Sequence, residues 1–286
     1  MLVYLNGQYI DHSEARVPVD DRGFVFADGI YEVIRIYDGR LFLAEPHYAR
    51  LRQGLASIRI ESAAPEALPV IGNRLITENG LQDDDAIVYI QITRGAAPRK
   101  HAFPPPGTAA TVFVSVKPFP RFSEEMYESG QAAVTTPDTR WARCDIKSIA
   151  LLPNVLANQI AREAGAFEAI FVRDGVLIEG SHSNLLGVIG GEVVTYPECN
   201  YILGGITRRF VLDLARGLGI PVREGPMFMD RLDEVEELFL CGTTTEVMPI
   251  TRLDGRPIGD GRAGPITRRL GKSYREATLS ASPASV

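Results

Sequence analysis

Four times along this chain an alternating or β-branched run breaks at a two-residue turn and then resumes. Residues 2–5 lead into Asn6-Gly7 and on to Tyr9-Ile10, and 33–37 and 41–43 flank Asp38-Gly39. Further on, 169–172 and 176–178 flank Asp174-Gly175, and 185–189 and 192–196 flank Gly190-Gly191. Such dipeptides suit the tight turns whose twist matches a hairpin, so the chain must build antiparallel sheets. Buried strands rich in β-branched residues are expected at 86–93, 111–116 and 238–241. Helices are expected from Pro46 through Ile58 and over 65–79, 153–164 and 207–218. Strands precede helices in each half instead of alternating with them, so the expected fold class is α+β.

At 286 residues the chain has room for about two domains of the usual ~150 residues. The proline-rich, polar stretch around Pro118, Pro120 and Gly130 divides it into a domain 1–118, a linker 119–130 and a mainly β domain 131–286. The long loop 94–107 is too extended for a mere connector and is a functional candidate. The tail 277–286 is expected to fray.

Charge excludes some partners. Thirty basic against 36 acidic residues, with no basic block, gives a nucleic-acid backbone little to bind. The start lacks the features of a secretory signal and no run reaches the ~18 apolar residues of a membrane span, so a cytoplasmic protein is expected. Cys144, Cys199 and Cys241, with His12, His47, His101 and His182, show no ligand spacing, and no metal is expected.

Most of the basic residues are arginines, so each lysine can be weighed singly, and Lys147 stands apart. It lies in Cys144-Asp145-Ile146-Lys147-Ser148-Ile149-Ala150, where burial would depress an amine pKa from about 10.4 and fit it as a nucleophile or Schiff-base former. A lysine snorkelling past a strand or pairing with Asp145 is the alternative reading of this stretch. Glu179 follows the strand 176–178 and precedes Gly180-Ser181-His182-Ser183-Asn184. It suits a buried acceptor for a protonated pyridine nitrogen, or a glutamate exposed in a turn.

Gly204-Gly205-Ile206-Thr207 precedes a helix whose free N–H groups would face an anion, and Gly242-Thr243-Thr244-Thr245 offers a second set of donors after a strand. In the long loop, Arg99-Lys100-His101 would, if extended, point Arg99 and His101 to one side, where a guanidinium takes a carboxylate; a solvated basic loop is the alternative. Tyr31, after Asp28-Gly29, is either a core aromatic or a substrate contact.

Taken together, these stretches resemble the class IV (fold type IV) pyridoxal-phosphate aminotransferases, and within them the D-amino-acid transaminases most closely. The motifs run over nearly the whole chain. They are Asp21-Arg22-Gly23 with Phe26-Ala27-Asp28-Gly29-Ile30-Tyr31-Glu32, Thr93-Arg94-Gly95 through His101, Arg143-Cys144-Asp145-Ile146-Lys147-Ser148, Glu179-Gly180-Ser181, Gly205-Ile206-Thr207 and Thr243-Thr244.

The resemblance implies the two-domain fold type IV architecture and pyridoxal 5'-phosphate as cofactor. Lys147 would be the Schiff-base lysine and proton shuttle, and Glu179 the partner of the ring nitrogen. Arg50, Ile206, Thr207 and Thr243 would hold the phosphate, with Leu203 against the ring. Tyr31, Arg99 and His101 would form a substrate-carboxylate trap, the last two reaching across a homodimer interface. The implied reaction is D-alanine plus 2-oxoglutarate to pyruvate plus D-glutamate. On the same scaffold the alternatives are a branched-chain L-amino-acid aminotransferase and an aminodeoxychorismate lyase; from another class, it is a non-catalytic pyridoxal-phosphate carrier.

Overall fold

The computed structural model describes residues 1–62 and 64–280. The chain divides into two units, Met1–Arg121 with Ile146–Ala150, and Phe122–Asp145 with Leu151–Ser280.

The first unit opens with the hairpin β1 (Leu2–Leu5) and β2 (Gln8–Asp11), where Asn6 and Gly7 take φ of 49° and 90°, the positive values a type I′ turn needs. There follow α1 (Arg22–Phe26), β3 (Gly29–Tyr37), β4 (Arg40–Leu41), α2 (Ala44–Ser57), α3 (Ala64–Glu78), β5 (Ala86–Thr93) and β6 (Thr111–Pro118). Among the described residues these strands form one sheet, ordered β2-β1-β6-β5-β3-β4 and antiparallel throughout.

Strand alternation sorts its side chains by face. Ile30, Ile34 and Ile36, with Val88, Ile90 and Ile92 and with Val112, Val114 and Val116, form a core with Tyr48, Leu51 and Leu55 of α2 and Leu68, Ile71 and Leu75 of α3. Burying each such side chain contributes roughly 1.5–3 kcal/mol. The intervening positions carry Tyr31, Tyr89 and Phe113, half-buried, with ring centroids 5.9 and 6.4 Å apart in succession.

The second unit comprises α4 (Glu124–Ser129), β7 (Gln131–Pro137), α5 (Leu152–Glu163), β8 (Glu168–Arg173), β9 (Val176–Gly180), β10 (Asn184–Ile189), β11 (Glu192–Thr195), α6 (Ile206–Gly217), β12 (Val222–Glu224), β13 (Met227–Phe228), β14 (Glu237–Gly242), β15 (Glu246–Leu253), β16 (Arg256–Pro257) and α7 (Pro265–Ser280). The sheet runs β12-β11-β10-β14-β15-β7-β8-β9-β13, with β16 on β15. One more pairing, Glu179 opposite Asn184, joins β9 to β10. The strands from β10 through β14, β15, β7 and β8 to β9 therefore close into a ring, and Glu179 sits at the seam.

Helices and sheets combine as the α+β class requires, but the second sheet is mixed: β7 and β8 pair in parallel with α5 as the crossover such a pair needs, β11 and β12 pair in parallel with α6 between them, and β15 also runs parallel to β7.

Three boundaries differ from expectation. The segment 119–130 is no free linker. Arg35 donates to Phe119 O at 2.5 Å and Arg121 pairs with Asp85 at 2.5 Å in the first unit, whereas Ser123 caps α4 in the second. Ile146–Ala150 belongs to the first unit, not to the domain 131–286, because its backbone bonds to β3. The expected fraying of 277–286 does not hold for its first part, which ends α7; Tyr274 and Thr278 are each 1% exposed, and 281–286 lie outside the described residues.

Candidate active site

In the first unit Lys147 is fixed by its backbone. Tyr31 N donates to Lys147 O at 3.1 Å and Ile149 N to Gly29 O at 3.1 Å, so the segment lies along the start of β3 like a short extra strand. Gly29 permits this approach, since a Cβ there would stand 2.7 Å from Ile92 O and 3.1 Å from Ile149 Cδ1. The half-buried Lys147 side chain places Nζ 4.4 Å from the centroid of the Tyr31 ring, so Tyr31 is a neighbour of the lysine and not a core aromatic.

One residue on, Glu32 points the other way, into α2. It accepts from Arg50 Nε at 2.7 Å and Nη2 at 2.9 Å, and His47 Nδ1 lies 2.8 Å away. Burial alone would raise its pKa, but Arg50 and His47 outweigh burial and hold it at about 2. Burial in turn keeps His47 below its usual range despite Glu32. Arg50, the candidate phosphate ligand, is thus oriented by a carboxylate to which the sequence assigned no role.

Arg99 and His101 are exposed and meet on one ring: Arg99 Cζ is 5.0 Å and the His101 ring 5.4 Å from the centroid of Phe26. That phenylalanine is what gathers them on one side.

In the second unit Glu179 is buried, not exposed in a turn. It pairs with Arg140 Nη1, and its Oε2 accepts from Asn184 Nδ2 at 3.0 Å and from Leu203 N at 3.1 Å. Asn184 Nδ2 also donates to Leu203 O at 2.9 Å, so Leu203 and Glu179 are tied through one amide. Burial, the largest influence, pushes Glu179 up to about 7 even with Arg140 beside it.

Gly205 is the N-cap of α6 and offers no side-chain cap; a Cβ there would fall 1.9 Å from Asn184 Oδ1. Ile206 and Thr207 open the helix, both buried, and Thr243 lies half-buried in the turn 242–245 after β14.

The candidates thus fall into two sets. Tyr31, Arg50, Arg99, His101 and Lys147 stand in the first unit, and Glu179, Leu203, Ile206, Thr207 and Thr243 in the second. Sequence reasoning did not single out Glu32, His47, Arg140 or Asn184, because their partners are 5 to 39 residues away with no local signature.

The donor chemistry suits pyridoxal phosphate. A buried carboxylate short of positive charge fits a protonated ring nitrogen, and a helix N-terminus without a side-chain cap fits a phosphate.

Comparisons with known proteins agree. The family described as amino-transferase class IV matches residues 29–253. D-alanine aminotransferase of Staphylococcus epidermidis is 41% identical over 275 residues, 96% of each chain, and that of Bacillus licheniformis is 42% identical over 282 residues, 98% of each. Among solved structures, the branched-chain amino acid aminotransferase of Escherichia coli superposes with a TM-score of 0.90 at 26% identity, covering 99% of this chain and 96% of the other. The branched-chain amino acid aminotransferase of T.th., solved with pyridoxamine 5'-phosphate, gives 0.89 at 29% identity, covering 99% and 95%. The chain belongs to the class IV aminotransferases. It is a transaminase that works with pyridoxal 5'-phosphate.

Proposed function

We propose that this enzyme is a D-amino-acid transaminase that moves the amino group of D-alanine to 2-oxoglutarate, yielding pyruvate and D-glutamate. The observation that supports the reading is the Arg99/His101 pair gathered on Phe26, a guanidinium beside an imidazole, which is the chemistry a substrate carboxylate would need. The D-alanine aminotransferases that match nearly end to end support the choice of substrate.

Pyridoxal phosphate, when bound, supplies an electrophilic carbonyl and an electron-accepting ring. In this reading Lys147 Nζ would be the amine that holds it and the base that moves the proton at the substrate Cα. Glu179 would keep the ring nitrogen protonated. The N–H groups of Ile206 and Thr207, with Thr243 and Arg50, would hold the phosphate, and Leu203 would face the ring. Tyr31, Arg99 and His101 fix the substrate so that one face of Cα meets Lys147. Arg99 and His101 are exposed, as residues serving a neighbouring copy would be; the reading makes the enzyme a cytoplasmic homodimer.

The visible spectrum of the purified protein tests this directly. A coloured band bleached by D-alanine and untouched by L-leucine is expected, with Lys147→Ala lacking both the band and turnover. Bleaching by L-leucine alone would move the enzyme to the branched-chain group, to which the solved Escherichia coli and T.th. enzymes belong. Wild-type rates in Lys147→Ala would end the lysine assignment.

A further inference from the structure

The loop that carries Arg99 and His101 is exposed at its tip, and such loops wander unless something inside the protein holds them. Here a buried arginine reaches out to it. Arg22, 4% exposed, donates from Nη1 to Lys100 O at 2.6 Å and to Ala102 O at 3.4 Å, the two carbonyls that bracket His101. Its Nε is anchored on Asp28 Oδ2 at 2.8 Å, and its guanidinium lies 4.8 Å from the Phe26 centroid, the ring on which Arg99 and His101 meet.

Asp28 serves a second arginine. Arg94, at the start of the loop, donates to Asp28 through Nε at 2.8 Å and Nη2 at 2.9 Å, and also to Ile58 O at 2.7 Å and Arg59 O at 2.8 Å. Burial by itself would raise the pKa of Asp28, but the hydrogen bonds from Arg94 and Arg22 outweigh it and hold the group below its ordinary value. The backbone adds a third tie: Arg22 N donates to Gly95 O at 2.9 Å and Ala97 N to Asp20 O at 3.1 Å. One ionised carboxylate therefore fastens two arginines, one at the base of the loop and one beneath its tip.

We propose that Arg22, held by Asp28 and Arg94, is a positioning residue that sets the backbone on which Arg99 and His101 meet the substrate carboxylate. The proposal rests on the carboxylate role given to Arg99 and His101 above. A guanidinium is suited to it because its planar fork donates to Asp28 and to the loop carbonyls at once, which a single ammonium does not. Arg22 is a positioning residue and not a catalytic one, since its Nε is paired with Asp28 and its Nη1 with backbone oxygens of the loop.

The test uses the pyridoxal-phosphate-loaded enzyme with Arg22→Met, Arg22→Lys and, as reference, Arg99→Ala. Two donors are compared: D-alanine, and D-alaninol, which has the same skeleton and no carboxylate. For both Arg22 variants we expect KM for D-alanine to rise by up to about a hundredfold, the scale of a displacement of about 1 Å at a reacting site, with kcat moving far less. The half-reaction with D-alaninol should stay within about twofold of wild type, since it makes no use of the trap. Independently of activity, amide hydrogen exchange over 94–103 should accelerate roughly tenfold or more while β5 and β6 keep their protection.

An unchanged KM for D-alanine in Arg99→Ala would overturn the carboxylate reading itself. A raised KM in Arg99→Ala beside unchanged KM and unchanged loop exchange in the Arg22 variants would overturn the positioning role alone. Equal losses with D-alanine and D-alaninol would reduce Arg22 to a purely structural residue and also overturn it. If Arg22→Met proves insoluble, Arg22→Lys, which keeps a charge opposite Asp28, gives the same readings.

Discussion

Glu32 and Glu179 are both buried carboxylates facing an arginine, yet the protein pushes them in opposite directions, Glu32 down to about 2 and Glu179 up to about 7. Residue type and burial are shared, so the partners make the difference. Arg50 gives Glu32 two parallel hydrogen bonds, and His47 adds a third contact. Arg140 is divided. Its Nε and Nη2 go to Asp138 at 2.9 and 3.0 Å, Nη2 also donates to Tyr201 O at 3.1 Å, and only Nη1 turns to Glu179. Asp138 also adds its own negative charge to the surroundings of Glu179. One carboxylate is a finished ion pair that orients Arg50; the other is short of positive charge, which is the condition of a receptor.

Exchanging each glutamate for glutamine tests this contrast most strongly. Glu179→Gln should slow transamination by about 10²–10³-fold, the range for losing one preorganised charge-stabilising group, while leaving the cofactor-free protein no less stable. Unfolding in urea and single-turnover rates measure the two halves, and a large stability loss with little change in rate would reverse the roles assigned here. Glu32→Gln should do the opposite in stability, lowering it by about 3 kcal/mol because a buried pair loses its countercharge.

The same contrast has a pH signature in the cofactor-free protein. The pKa of Glu32 is depressed from its ordinary 4.5, so its contribution is complete above that value and is lost as pH falls toward about 2. The pKa of Glu179 is raised from 4.5, so its contribution is complete below that value and is lost as pH rises toward about 7. Stability measured across pH should lose its acid limb in Glu32→Gln and its neutral limb in Glu179→Gln. A smaller effect sharpens the account of Arg140. Arg140→Met should raise the titration of Glu179 by a further ~1–2 pKa units, read from the carboxyl band in the infrared; no movement would mean that burial alone sets it.

How far the sequence revealed this depended on where the determining contact lies. The hairpins were legible because Asn6-Gly7 or Asp174-Gly175 impose their conformation locally, and both Asn6 and Asp174 indeed take positive φ. Lys147 and Glu179 could be noticed from their settings, although their roles came from resemblance. Helix α7 was not expected. Its buried stripe is Thr267, Leu270, Gly271, Tyr274 and Thr278, mostly small or polar residues that leave little hydrophobic signal. Its first amides are capped from far off, Ile266 N and Thr267 N donating to Glu237 at 3.0 and 2.7 Å. Strand β15 was hidden by Pro249, which a ladder interior normally excludes; a break in register lies close by, between Ile250 and Arg252. Arg140 gave no sign because its importance depends on a carboxylate 39 positions later.

The loan of Ile146–Ala150 to the first unit has a bearing on how the enzyme comes to exist. During synthesis β3, β5 and β6 are complete once Pro118 has been made, so the edge that receives Tyr31 N to Lys147 O is built before the lysine leaves the ribosome. The lysine then threads onto a finished template while the chain on either side of it still awaits the remainder of its own sheet. A permuted gene beginning near Phe122 would reverse that schedule, leaving a reactive amine exposed until its template was translated.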